Sequence, residues 1–522
     1  MSTEVSTSGP PRSRRLPQPS SDTLSRHGGR LLDPVTAVRR PGVPPPRPTA
    51  YVADQLVVAA GVDQAAMLTR LERAARECHA TLELEPLGTQ LSEQGHDVPR
   101  TVRLLPADDG PAEPRDAWQV LQRFRAAAGG HHAAVGLDHL LFGIADPVGL
   151  PQTEGHGTTG LPQTEGHGTG DHLVAGRGGR APVTWVGQRP HRRPDRELTG
   201  RRPVVAVLDT GCGPHPWLDG VVQTDVRLDG VPAGLTDPAT DPEAHGDLVG
   251  PLVGALDTHA GHGTFIAGLV HQICPDADVL AIRVMASDGV VKESALLHAL
   301  GVLRVLAQRY RDSGGADGRA VDVVVLSLGY HHESPDDAAF DTPLLAAVTA
   351  LGELGCAVVA AAGNSATTDP LYPAAFAPHA GGPVPAVVDG CVPVTSVAAT
   401  NPDGTVALFS NAGTWIRCWQ KGAALVSTMP TTFNGGRQPV VRYTAPDGSP
   451  RATLDPDDFR DGFGVWSGTS FAAPVCAGHL VRRLWEDAGG TGLDPVLDVA
   501  TVGGVVEQHV AEHPMPLAPE ER

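Results

Sequence analysis

Ser470 stands in the run Gly468-Thr469-Ser470-Phe471-Ala472-Ala473-Pro474, a tight turn leading into an apolar helix through Val475, Cys476, Ala477 and Leu480. A hydroxyl in the first turn of a helix lies beside backbone N–H groups that lack intrahelical partners and favour developing negative charge. Pro474 is tolerated in the early turns, where its missing donor costs little. Alone, the run is a helix start capped by Thr469 or Ser470. Three upstream stretches give it chemical meaning. Val207-Leu208-Asp209-Thr210-Gly211 ends an apolar strand on a carboxylate, either held half-buried to orient an imidazole or simply part of a turn. His259-Ala260-Gly261-His262-Gly263-Thr264 places an imidazole just ahead of an Ala/Gly-rich helix. Small neighbours leave the ring of His262 approachable; His259 is its rival, and a capping role is the plain alternative. Ala361-Ala362-Gly363-Asn364-Ser365 follows another apolar strand. Asn364 is either a turn residue or an amide N–H2 aimed at the oxygen of a tetrahedral intermediate. Together the four side chains could serve acyl transfer: nucleophile, base, orienting carboxylate and oxyanion donor.

Such groups need a frame that brings distant segments to one edge. Residues 204–208, 279–284, 321–326, 357–361 and 391–397 are largely apolar and of strand length. Helical spacing falls at 264–271, 293–309 and 344–354. This alternation predicts an α/β domain with a largely parallel, buried sheet flanked by helices. Active groups then belong at the carboxyl ends of strands, or on helices that start there.

The order Asp209, His262, Asn364, Ser470, with Asp209-Thr210-Gly211, His262-Gly263-Thr264 and Gly468 to Pro474, resembles the subtilisin-like serine proteases, the subtilase family. The resemblance extends over residues 201–509. It implies a subtilisin-like fold and a serine endopeptidase. Asp209 would orient His262 and stabilise its charge, His262 would act as general base toward Ser470, and Ser470 would form an acyl-enzyme. The Asn364 side chain and the Ser470 N–H would hold the oxyanion. The resemblance further implies a protein or peptide substrate bound in extended conformation. Ser327, Leu328 and Gly329 would form one pairing edge, Val284 to Gly289 the opposite side. Ala361, Ala362 and Gly363 would line the pocket for the residue before the cleaved bond.

Phe471 departs from the family pattern, in which Met often follows the nucleophile. No cofactor is implied as required. Many relatives bind structural calcium, but no calcium loop stands out; Asp457 and Asp458 are too few ligands, and metal ligands stay unassigned. The alternative reading in another class is a catalytically silent subtilase-like domain that binds protein. A lipase or esterase would want a Gly-x-Ser-x-Gly elbow, which Gly468 to Ala472 does not supply.

The 522-residue chain carries a net charge of -19, and its only lysines are Lys292 and Lys421. An acidic chain without a basic stripe argues against nucleic-acid binding. No run of 18 apolar residues occurs, so no membrane span is expected. The start lacks an apolar stretch and the seven cysteines are scattered at mostly apolar positions. A reduced, cytoplasmic protein is therefore expected, with non-classical export or a misassigned start as alternatives.

Along the chain, residues 1–50 are Pro/Arg-rich and predicted mobile. Residues 51–145 follow a β-α-β-β-α-β order, with strands near 55–58, 81–84, 102–105 and 132–142 and helices near 64–78 and 116–127. This predicts a small α+β, ferredoxin-like domain. By the family resemblance it is a propeptide-like inhibitor and folding aid, or a retained accessory domain. Residues 146–200 form a Gly/Pro-rich linker containing an eleven-residue tandem repeat at 149–170. Its two histidines, His156 and His167, read as parts of a tether rather than a metal site. The catalytic domain is assigned to 201–512 and a tail to 513–522. Residues 428–462 read as a surface excursion with a hairpin near 440–443 and Asp447-Gly448.

Overall fold

Val204 to Leu208, with no polar side chain among them, are buried on both faces of a sheet, which the computed structural model places at the centre of the larger part of the chain. The structure describes residues 18–107, 115–127, 134–143, 179–250, 253–334, 342–379 and 390–516. The tandem repeat at 149–170 lies outside the described residues.

The N-terminal part contains α1 (Ser21–Arg26), β1 (Gly29–Leu31), β2 (Ala50–Val58), α2 (Gln64–Glu77) and β3 (Ala80–Leu84). It continues with α3 (Pro86–Glu93), β4 (Arg100–Pro106), α4 (Ala117–Ala127) and β5 (Val135–Gly143). Neighbouring strands run in the order β5-β2-β4-β3, antiparallel throughout. Met67, Leu71 and Ala75 of α2 and Trp118, Leu121 and Phe124 of α4, spaced three or four apart, form the core with β2 and β4. The Asp63 side chain caps α2 by accepting from Ala66 N. Helix α3 was not expected; Pro86 at its first turn is the signal that could have found it.

Residues 18–50 differ from the expected mobile tail. Here α1 and β1 are formed, and β1 pairs antiparallel with β2. The Arg26 and His27 side chains bind Asp288, and Arg47 N donates to Glu333 O at 2.7 Å. These specific bonds offset an ordering cost that composition alone suggested would not be met.

The larger part opens with β6 (Ala181–Pro182), β7 (Val204–Asp209), β8 (Val222–Gln223), β9 (Arg227–Leu228) and β10 (Val231–Pro232). Next come α5 (His262–Ile273), β11 (Asp278–Arg283), β12 (Val290–Lys292), α6 (Glu293–Asp312), β13 (Val323–Leu326) and β14 (Leu328–Gly329). Then follow α7 (Thr342–Glu353), β15 (Ala357–Ala361), β16 (Thr395–Thr400), β17 (Cys418–Lys421) and β18 (Leu425–Thr428). Last are β19 (Arg442–Thr444), β20 (Pro450–Ala452), β21 (Phe463–Trp466), α8 (Thr469–Asp487) and α9 (Val499–Glu512).

Among the described residues the main sheet runs β17-β16-β15-β13-β7-β11-β8, parallel at every pair. Every residue of β7, β13, β15 and β16 is buried, as the apolar runs require. Smaller antiparallel ladders join β18, β21 and β6, so the whole is an α/β fold with mixed pairing. The strand expected at 391–397 is instead β16, starting at Thr395, because Pro393 has no N–H for the ladder. Helices α5 and α8 pack tightly against each other: a Cβ on Gly478 would come within 2.9 Å of Ile273 Cβ. The hairpin β19–β20 forms as expected, with Gly448 at φ +82° in its turn. Among the described residues no helix is long and apolar enough to cross a membrane.

Strand β5 joins the two parts. It pairs antiparallel with β12, Phe142 opposite Val290 and Leu140 opposite Lys292, and with β14, Gly143 opposite Leu328.

Candidate active site

Asp209 ends β7, and its Oδ1 accepts from His262 Nδ1 at 2.7 Å and from Thr210 N at 2.8 Å. His262 opens α5. The preceding Gly261 has φ +84°, and a Cβ there would meet Met429 Cε at 2.6 Å, so only glycine delivers the ring at this angle. Ser470 is the second residue of α8, where its backbone N–H is one of the unpaired helix donors. All three side chains are buried. Among the described residues neither His262 Nε2 nor Ser470 Oγ has a hydrogen-bond partner, so no bond joins the two in this conformation. Phe471 is directed inward: its ring centroid lies 5.0 Å from that of His262 and 4.6 Å from that of Phe265.

The amide of Asn364 is fixed by its oxygen, which accepts from Thr469 N at 2.9 Å and Thr469 Oγ1 at 3.0 Å. Its N–H2 is thereby turned away from Thr469. Asn364 lines a cavity of about 300 Å³ together with Phe142, Gly143, Gly329, Gly363 and Leu371. Ala361 and Ala362 do not line it; they are sheet backbone behind it, Ala362 N donating to Val397 O. Ser327 Oγ donates to Ser470 O at 2.7 Å, tying the β14 edge to the start of α8.

The expected opposite edge, Val284 to Gly289, is corrected by one short turn. Val284 N donates to Asp209 O, and residues up to Gly289 (φ +84°) fold back, so extended backbone resumes only at β12. The Gly289 carbonyl of that stretch reaches β5, accepting from Gly143 N at 2.6 Å, and the Met285 sulfur packs beside Gly143. The Val290-Val291 pair after a glycine was the signal for it.

His259, the rival imidazole, has no bond to Asp209 among the described contacts. Its Nδ1 meets Thr258 Oγ1 at 3.0 Å, and its ring walls the groove so closely that a Cβ on Gly143 or Gly289 would lie within 2.8 Å of it. Burial, and then the neighbouring His262, push its imidazole down to about 3, so it is neutral. Asp457 and Asp458 serve the excursion itself: Asp457 accepts from Arg437 N and Asp458 pairs with Arg460.

His139 of β5 lies between two carboxylates, Nδ1 at 2.6 Å from Glu293 and Nε2 at 3.0 Å from Glu333, with its ring stacked on Tyr330. Burial opposes its charge, but Glu293 and Glu333 hold the imidazole well above its ordinary range. Burial likewise opposes ionisation of Glu333, yet His332 and His139 hold it well below the usual carboxylate range. The pair is charged and buried.

Glu243 escaped the sequence reading, since nothing in Asp241-Pro242-Glu243-Ala244 marks it as more than a loop residue. It is 1 % exposed and accepts from Thr210 Oγ1 at 2.5 Å, Thr264 Oγ1 at 2.6 Å and Gly263 N at 3.2 Å. It therefore ties the turn after Asp209 to the first turn of the His262 helix. Burial raises its carboxyl to about 7, against the two threonine hydroxyls; Asp209 adds to the rise. A raised carboxyl favours the folded state while protonated, and that advantage is lost as pH rises from the ordinary 4.5 through about 7. Glu243→Gln should accordingly lose stability most at pH 5, by about 1–3 kcal/mol for the disturbed bonds, and recover relative to wild type above pH 7. Urea unfolding of both proteins across that range checks the crossover. The Cys212 thiol beside it is pushed up, first by burial and then by Glu243, and is unreactive for that reason.

A buried carboxylate, imidazole and serine hydroxyl lie at the carboxyl edge of a parallel α/β sheet, beside the two strand edges that pair with β5. The chain belongs to the subtilase family of serine-type endopeptidases, whose model matches residues 200–489. It is 30% identical to Subtilisin BL of Lederbergia lenta over 238 residues, 45% of this chain and 70% of that protein. It is 26% identical to Serine protease AprX of Bacillus subtilis (strain 168) over 314 residues, 56% of this chain and 60% of that protein. Fervidolysin from Fervidobacterium pennivorans, described as a keratinolytic enzyme related to subtilisin, matches with 19% identity and a TM-score of 0.45. That alignment covers 88% of this chain and 57% of the other.

Proposed function

We propose that residues 201–512 hydrolyse internal peptide bonds through Asp209, His262 and Ser470. The observation that carries this reading is the 2.7 Å bond from His262 Nδ1 to Asp209, which fixes the tautomer that leaves Nε2 as the base. Ser470 Oγ attacks the carbonyl as His262 Nε2 takes its proton. The proton then passes to the leaving amine, and water resolves the acyl-enzyme by the same route in reverse. The Ser470 N–H and the Asn364 amide hold the oxyanion. Substrate lies extended between β12 and β14, where backbone pairing gives sequence-tolerant affinity.

The strand already lying there is β5. We read residues 51–145 as a ferredoxin-like domain whose last strand holds the groove as an inhibitor, and self-cleavage falls in the segment after Gly143. The antiparallel order β5-β2-β4-β3 and the two ladders on β5 support this reading.

A fluorophosphonate probe tests the nucleophile: its phosphorus forms a bond to Ser470 Oγ as fluoride leaves. Mass mapping is expected to place the adduct on Ser470, more rapidly after the N-terminal part is released. Peptidase activity that survives with Ser470 unmodified would refute the assignment and favour another nucleophile; absence of both labelling and activity in released protein would favour a silent binding domain. Asn364→Leu, which keeps the size and removes the amide donor, should lower kcat by roughly 10²–10³ with KM little changed. Steady-state kinetics on a chromogenic peptide separate the two constants.

A further inference from the structure

On the side of α8 remote from its first turn, two thiols and two imidazoles come together, and none takes part in the site described above. Cys418 opens the edge strand β17. Cys476 lies on α8 beyond Ser470. His509 lies in the last turn of α9, and His513 is the residue that caps it. Cys418, His509 and His513 each present one ligand atom within 4.8 Å of the others. Cys476 lies outside that trio, on α8 where the helix packs against β17, and the Cys418 thiol is its neighbour there. Both cysteines are free thiols and fully buried, and His509 is 3 % exposed.

The surroundings orient these groups. His513 Nδ1 donates to the His509 carbonyl at 2.8 Å, which leaves the lone pair on Nε2. The Gln420 amide lies 2.9 Å from His509 Nε2 and 3.9 Å from Cys418 Sγ, touching two members of the group at once. The backbone carbonyl behind His513 is the kind of partner that orients a metal-bound histidine, whereas the Gln420 N–H2 donates to His509 Nε2 and gives up that bond when an ion enters.

We propose that Cys418, Cys476, His509 and His513 form a structural Zn²⁺ site that clamps the C-terminal helix α9 to β17 and to α8. The donor set is two thiolates and two imidazoles, with the histidines one helical turn apart, a pattern suited to tetrahedral zinc. Bonds of about 2.0–2.3 Å place tetrahedral donors roughly 3.3–3.8 Å apart. Four protein donors leave no open position, so the ion holds structure and does no chemistry on substrate. On binding, the two thiols release their protons to solvent. Because Cys476 follows Ser470 on α8, the clamp fixes the helix on which the nucleophile is mounted.

Cobalt titration of full-length, reduced, metal-free protein tests the site, in a Ser470→Ala background so that self-digestion does not interfere. The expected result is one tightly bound Co²⁺ per chain, with tetrahedral visible bands and a near-ultraviolet thiolate-to-metal charge-transfer band, both displaced by Zn²⁺. The doubly substituted Cys418→Ser, Cys476→Ser protein should lose the charge-transfer band. His513→Ala, at a half-buried helix end where folding is least at risk, should weaken binding ten-fold or more. His479→Ala, the neighbouring ring 5.9 Å from His509, should leave it unchanged. No charge-transfer band in the parent protein overturns the proposal, as does undiminished binding by His513→Ala. A Cys418–Cys476 disulfide in protein isolated without reductant overturns it too.

Discussion

Ser470→Ala is expected to lower kcat for peptide hydrolysis by about 10⁶, with KM within a few-fold of the parent; this is the scale set by subtilisin, a relative of this chain. The reason lies in how the groups depend on one another. In the proposed mechanism His262 is useful only as a base for that hydroxyl, and Asp209 acts only through the His262 Nδ1–H it accepts. Removing the hydroxyl therefore forfeits all three contributions at once, and adding His262→Ala to Ser470→Ala should cost almost nothing more. Asp209→Asn should fall short of that loss, at roughly 10⁴, because the ring then favours the wrong tautomer but the nucleophile remains. What survives in every variant comes from Asn364, the helix-start N–H and substrate alignment. The measurement is a single-turnover assay on an unstructured protein, paired with the rate of self-processing. Parent-like cleavage by Ser470→Ala would end the assignment.

His139→Ala should weaken the hold of β5 on the groove by roughly 3–5 kcal/mol, two to four orders of magnitude, because it strands the buried Glu293 carboxylate and takes one of two imidazoles from Glu333. Glu293 on α6 and Glu333 beyond β14 lose their shared cation; Glu333 keeps His332, whose Nδ1 lies 3.2 Å away, and Tyr330, stacked on the ring, supplies no charge to Glu293. The same pair sets a pH window. The imidazole is raised in place, so its contribution is complete below the ordinary histidine range and fades as pH climbs through the raised value. The depressed Glu333 carboxyl acts oppositely, its contribution fading as pH falls through the lowered value. Docking should thus be tightest between those limits and loosen on the alkaline side. Amide exchange at residues 290–292 in the Ser470→Ala protein, followed from pH 6 to pH 10, reads this directly. Uniform protection in both His139→Ala and the parent would refute the assigned role.

The parts of the molecule legible in sequence were those that physics makes local. Val204 to Leu208 can only be a doubly covered strand, and the carboxylate after it falls at the strand's end by chain continuity. The bond between Asp209 and His262 joins segments whose motifs were visible one by one. Glu243 was invisible because its importance comes from two threonines and an amide brought to it by tertiary folding. The β12 edge was misjudged by a turn, since register depends on where Gly289 reverses the chain. The tail at 18–50 was misread because its order comes from partners such as Asp288 and Glu333, which composition cannot reveal. The Cys418–His513 cluster was equally hidden, its members being drawn from one strand and two helices.

The two ladders that β5 makes are built within one chain, and this governs how firmly the cleft stays closed. A strand carried on the same chain faces its slot at an effective concentration set by the linker, however dilute the solution. Once the backbone is cut between Gly143 and Gly179, the same ladders join separate molecules, and occupancy begins to follow the amount of protein present. Dilution alone then becomes a trigger: the severed domain drifts away in thin solution and returns in a crowded one.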